Sequence, residues 1–160
     1  MSNPISPELI KGTYGELLVQ IRLLQFKVQA APPLKDSGND LIAVRDRVFR
    51  SIQVKTTAGD DYDVPEERKV YDILAAVHLI GEESNVSLGA SDVYLIKKED
   101  VRNSSRRFSD ISRFKLSAKR INDLFPMGAF LPNRVAEPTR TSGTPPADAG
   151  DRASGARGSL

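Results

Sequence analysis

The sequence predicts an α/β domain built as a mixed β-sheet flanked by helices. Three observations carry that prediction. An amphipathic helical pattern opens the chain, several short runs with β-type patterning follow it, and a second helical stretch closes the apolar part of the sequence.

The first helix is expected to start at Ser6-Pro7-Glu8, with Ser6 as N-cap and Pro7 at the first helical position, where its missing N–H costs nothing. Ile10, Tyr14, Leu17, Leu18, Ile21 and Leu24 form one helical face. A second stripe runs Gly12, Glu16, Val19, Leu23, and a glutamate among such neighbours is unusual. A glycine inside a helix costs about 1 kcal/mol against alanine, so Gly12 and Gly15 point to close packing.

Strands are expected next. "FKVQA" (26–30) alternates, and "PPLKDSGN" (32–39) reads as a loop. "DLIAV" (40–44) and "VFRSIQVKT" (48–56) flank the turn Arg45-Asp46-Arg47 and form a hairpin. "YDILAAVHLI" (71–80) is a near-continuous apolar run, the pattern of a strand buried on both faces. "DVYLI" (92–96) pairs beside it across the loop 81–91, and "SAKRINDLF" (117–125) is the closing helix.

Composition narrows the class of protein. A chain of 160 residues has room for one domain with a real core, while 39% apolar and 28% charged residues leave part of it solvated. The net charge of +2 names no partner. The absence of cysteine excludes disulfides, thiolate zinc sites and a cysteine nucleophile, and fits a cytoplasmic setting. No apolar run approaches the roughly 20 residues of a membrane span, and "MSNPISPELIKG" lacks the layout of a signal peptide. The folded domain is assigned to 1–126. The segment 127–160, with four prolines, five glycines and almost no large apolar residue after Val135, is expected to be a disordered tail.

The chemistry-bearing residues cluster around the hairpin. Gln53 and Lys55 are two apart on a strand and share a face. Asp40 begins the partner strand, and Glu16 can reach the same spot from the helix. Two carboxylates, an amide oxygen and an ammonium around one point suit a hard cation that prefers oxygen ligands. Each residue alone has a plainer role, Asp40 in a turn and Gln53 and Lys55 on the wet face of a strand. Glu16 fits the plainer role least.

The segments "GTYGELLVQIRLLQFKV", "SGNDLIAV", "SIQVKTT", "YDILAAV" and "DVYLIKKEDV" together resemble the PD-(D/E)xK nuclease superfamily. Its restriction-endonuclease-like fold is shared by Holliday-junction resolvases, many restriction enzymes and some intron-encoded endonucleases. The resemblance implies a metal-dependent DNA endonuclease that hydrolyses phosphodiester bonds with Mg2+ or Mn2+ on duplex or branched DNA, generally as a homodimer. It matches Glu16 to the first-helix glutamate, Asp40 to the metal-binding aspartate and Lys55 to the catalytic lysine. Val54 would offer its backbone carbonyl to the metal. Two departures stand out. Asn39 replaces the proline before the aspartate, and Gln53 replaces the acidic residue of the (D/E)xK element, as in the QxK branch that includes an intron-encoded homing endonuclease. The glutamine oxygen can still ligate a metal, but the site loses a negative charge. A nuclease-fold protein that has lost catalysis and binds DNA or protein is the alternative.

Phosphate contacts are expected between residues 102 and 120. Arg102, Arg106, Arg107, Arg113, Lys115, Lys119 and Arg120 lie there against the single acid Asp110, with Phe108 and Phe114 interleaved. The acidic stretch Asp60, Asp61, Asp63, Glu66 and Glu67 reads as a solvated loop. His78, the only histidine, reads as a hydrogen-bonded strand residue.

Overall fold

The computed structural model describes residues 5–35, 38–66, 68–82 and 85–128; the expected tail lies outside them from residue 129 onward. The chain opens with α1 (Pro7–Leu24), whose N-cap Ser6 accepts a hydrogen bond from the Leu9 N–H, with proline at the start of the helix as expected. Then come β1 (Gln29–Ala31), β2 (Leu41–Arg45), β3 (Val48–Thr57), β4 (Ile73–His78), the short pair β5 (Gly81–Glu82) and β6 (Asn85–Val86), and β7 (Asp92–Lys97). The single-turn helix α2 (Lys98–Val101), two 3-10 turns at Phe108–Asp110 and Ser112–Phe114, and α3 (Ala118–Leu124) complete the described chain.

Five strands form one sheet in the order β1-β2-β3-β4-β7. All neighbours are antiparallel except β3 and β4, which makes the sheet mixed. A parallel pair cannot be joined by a tight turn. The connection from β3 to β4 is accordingly long, and it passes over the sheet with Tyr62 as its buried anchor.

The alternation of β3 divides its side chains between two layers. Ile52 and Val54 join Leu41, Ala43, Ile73, Ala75, Val77, Val93 and Leu95 in a core against α1 and α3. On the opposite face, Leu74, Ala76, Tyr94 and Ile96 pack under Tyr62, Tyr71, Phe108, Ile111 and Phe114. That second layer covers the β4–β7 side of the sheet. The β2–β3 side of the same face stays open, with Ile42 and Phe49 exposed. β4 is buried on both faces, as its continuous apolar run predicts.

Four local expectations are corrected. The helix buries Gly15, Leu18, Val19 and Leu23. Of the apolar face read from the sequence, Leu18 is buried, but Leu17, Ile21 and Leu24 are at least half exposed. The reason is Gly15, where a Cβ would overlap the Thr56 side chain. Only the glycine-bearing side can come this close to the sheet. Gly12 meets nothing within 4 Å and so has no part in that packing. The expected strand at 26–30 begins only at Gln29, because Phe26 and Lys27 continue the helix end by donating to Leu23 and Leu24 carbonyls, with Lys27 at φ 61°. Finally, the expected loop 81–91 contains the β5–β6 pair. Among the described residues no helix is long and apolar enough to cross a membrane.

Candidate functional site

The register of the hairpin decides where the site forms. β2 pairs with β3 from Leu41 opposite Ile52, and the Asp40 N–H still reaches the Ile52 carbonyl at 3.0 Å. Beyond that point β3 continues without its antiparallel partner. The Asp40 side chain takes over: Val54 N–H donates to Asp40 Oδ2 at 2.6 Å, and Gln53 Nε2 donates to the same oxygen. Within a strand residue the N–H and C=O project to the same side, so the Val54 carbonyl also points past the end of β2.

Gln53 is 3% exposed, and its Oε1 is buried with no hydrogen-bond partner. An orphaned buried acceptor is costly unless something else satisfies it. Glu16 approaches from α1, since the Gly15–Thr56 contact seats the helix directly on β3. Burial, and behind it the Asp40 carboxylate, push the Glu16 carboxyl above its ordinary value of 4.5. Two carboxylates that repel each other, beside an unsatisfied amide oxygen and a carbonyl, form an oxygen-rich donor set that fits a hard divalent cation. The group contains only two carboxylates; among the described residues no cluster of three or more His, Cys, Asp or Glu could hold a metal.

Lys55 follows on the opposite face of β3 from Val54 and is half-buried. Its ammonium has no hydrogen-bond or ion-pair partner among the described residues. A cleft of about 380 Å³ opens here, lined by Glu8, Lys11, Gly12 and Glu16 of α1, residues 54–57 of β3, and Asp63. Asp63, Glu8 and Lys11 were not among the candidates read from sequence. Glu8 was legible, because it extends the Gly12–Glu16 stripe back by one turn at a spacing of four. Asp63 was not, since its place depends on the course of an irregular loop.

The basic segment is divided by the fold. Arg106 and Arg107 line a second cleft with Ser105 and Asp110, and that cleft shares Asp63 with the first. Arg107 is ion-paired with Asp61 at 3.6 Å, both exposed. Arg102 is exposed after α2, and Lys119 is exposed on α3. Lys115 binds Asp92 at 2.8 Å. Arg113 and Arg120 both lie over the Phe114 ring, and Arg120 Nε donates to the Leu95 carbonyl at 2.8 Å. None of these last five lines either cleft. His78 stacks on Phe108, with ring centroids 4.6 Å apart, and its ring makes no hydrogen bond among the described residues.

The fold and the cluster thus define a mixed α/β sheet protein with an acid–amide–lysine group where β3 outruns β2. No protein-family model matches the chain, and no curated protein matches it. Among solved structures the chain is similar to a bacterial homing endonuclease, I-Ssp6803I, at 20% identity and a TM-score of 0.45, over 62% of this chain and 71% of that one.

Proposed function

We propose that the protein is a metal-dependent DNA endonuclease of the PD-(D/E)xK type, in its QxK form. The supporting observation is the convergence of Glu16, Asp40 and the buried Gln53 oxygen beside the unpaired Lys55 ammonium. Asp40, Gln53 Oε1, the Val54 carbonyl and Glu16 would hold Mg2+ or Mn2+. The bound ion supplies Lewis acidity to the phosphate and lowers the pKa of a bound water.

The chain's own groups do the rest. Asp40 is fixed by two donors on one oxygen, Oδ2. Lys55 orients the attacking water by hydrogen bonding and offsets the charge that develops on the phosphate. Lys11, on the same cleft, and Arg106 and Arg107, on the neighbouring one, attract the backbone. Duplex or branched DNA as substrate and action as a homodimer belong to the same proposal.

One observation favours the alternative of a nuclease-fold protein that binds without cutting. The cluster has two carboxylates where an acidic residue at position 53 would make three, which weakens its hold on a cation. Incubation of supercoiled plasmid with the full chain and Mg2+ or Mn2+ separates the two. The endonuclease reading expects nicked and linear products that chelator abolishes, and intact plasmid at both metals contradicts it.

A further inference from the structure

We propose that Gln53 is a positioning residue that holds Asp40 in its working orientation before any cation arrives, so that the site is preformed in the metal-free protein. The inference deepens the cation-site reading above and rests on it for the identity of the ligands.

Asp40 needs such a hold. It precedes β2 and follows a turn in which Gly38 has φ 81°, and its backbone N–H is tied to the sheet by its bond to the Ile52 carbonyl. Its side chain is fixed by two donors on one oxygen, the Val54 N–H and the Gln53 amide. An ionised carboxylate only accepts hydrogen bonds, so the amide end facing Asp40 must be the NH2 group. That assignment turns Oε1 away from Asp40, where it is buried and unpartnered. One side chain therefore does two things at once. Its nitrogen clamps Asp40, and its buried oxygen keeps a free acceptor that the cation-site reading assigns to the metal.

A glutamate at position 53 cannot do both. It has no donor for Asp40 and would bring a third carboxylate against Asp40 and Glu16. Such a site would gain charge for the cation and lose its metal-free order. The glutamine exchanges cation attraction for preorganisation.

The test is thermal unfolding of the 160-residue chain as wild type, Gln53→Glu and Gln53→Met, each in chelator and in a Mn2+ series. Loss of one buried charge-assisted hydrogen bond corresponds to a fall in Tm of roughly 5–10 °C for a domain of this size. Both variants should show that fall in chelator. Mn2+ should restore most of it for Gln53→Glu, with a larger metal-induced rise than in wild type, and little of it for Gln53→Met. Amide hydrogen exchange at Val54 in chelator gives a local readout where a variant is too unstable to melt cleanly. The Val54 amide should exchange at least roughly tenfold faster in Gln53→Met, because its acceptor is no longer held. Variants as stable as wild type in chelator, or a Val54 amide exchanging at the wild-type rate, would overturn the clamp. The chelator arm decides it whether or not the protein cuts DNA, so its failure is distinct from failure of the nuclease reading.

Discussion

Gly15 of α1 lies directly against Thr56 of β3, with no room for a side chain between them. This contact sets how close the helix comes to the strand. It therefore sets how close Glu16 comes to Asp40, and it turns the helix so that Gly12 and Glu16 line the cleft over Lys55.

Substitution at the two helix glycines should separate their roles. Gly15→Ala places a methyl into the Thr56 Cβ as well as its hydroxyl, so rotation of the threonine does not relieve the overlap. The cost expected is about 1–3 kcal/mol. Gly12→Ala meets open space and should stabilise by up to roughly 1 kcal/mol. Urea unfolding of both variants measures this, and equal midpoints would contradict the packing account.

Lys55→Ala and Asp40→Ala should each abolish Mg2+-dependent plasmid cleavage. Among the described residues Lys55 has no partner to lose, so its variant should melt within a degree or two of wild type. Asp40→Ala leaves the Val54 N–H without its acceptor and should cost about 1–3 kcal/mol. Cleavage at wild-type rate by Lys55→Ala would remove that residue from the chemistry.

The metal-free protein should carry a pH signature of Glu16. Its carboxyl titrates above 4.5 in the fold, first because it is buried and then because Asp40 is near. The fold thus prefers Glu16 protonated. The stability this contributes is full below 4.5 and is lost as pH rises through the folded-state value. In chelator, Glu16→Gln should be more stable than wild type at pH 8 and equal to it near pH 4. Melting curves at the two pH values check this, and a variant less stable than wild type at pH 8 would contradict it.

DNA affinity should depend on part of the basic segment only. Replacing Arg106 and Arg107 together should weaken binding and flatten its salt dependence by about two in log–log slope. Lys115→Ala should leave both unchanged, since Lys115 lines neither cleft. Fluorescence anisotropy over a salt series in Ca2+ measures both, and equal effects of the two changes would show that DNA crosses a different surface.

Much of this molecule was legible from local chemistry. The Ser6-Pro7 start of α1, the β2–β3 hairpin, the doubly buried β4 and the Ser117-capped α3 follow from capping, turn chemistry and apolar patterning. The buried side of α1 followed only in part, through the close packing that Gly15 implied. Its exposed stripe is more apolar than its buried one, and only the Thr56 contact shows why the glycine side faces in. The grouping of Glu16, Asp40, Gln53 and Lys55 in one region was anticipated. The Gln53–Asp40 bond was not, because it depends on β2 stopping where β3 runs on. The split of the basic segment was hidden for a similar reason. Asp92 and the Leu95 carbonyl, which hold Lys115 and Arg120, are remote in sequence.

Anomalous scattering from crystals of the 160-residue chain soaked in Mn2+ shows whether Asp40 and Gln53 share one ion. The expected result is one Mn2+ peak within ligand distance of Asp40 and Gln53 Oε1, with the Val54 carbonyl and Glu16 on its other sides and Lys55 nearby. An occupied Mn2+ elsewhere with this site empty, or Gln53 Oε1 turned away from the ion, would contradict it.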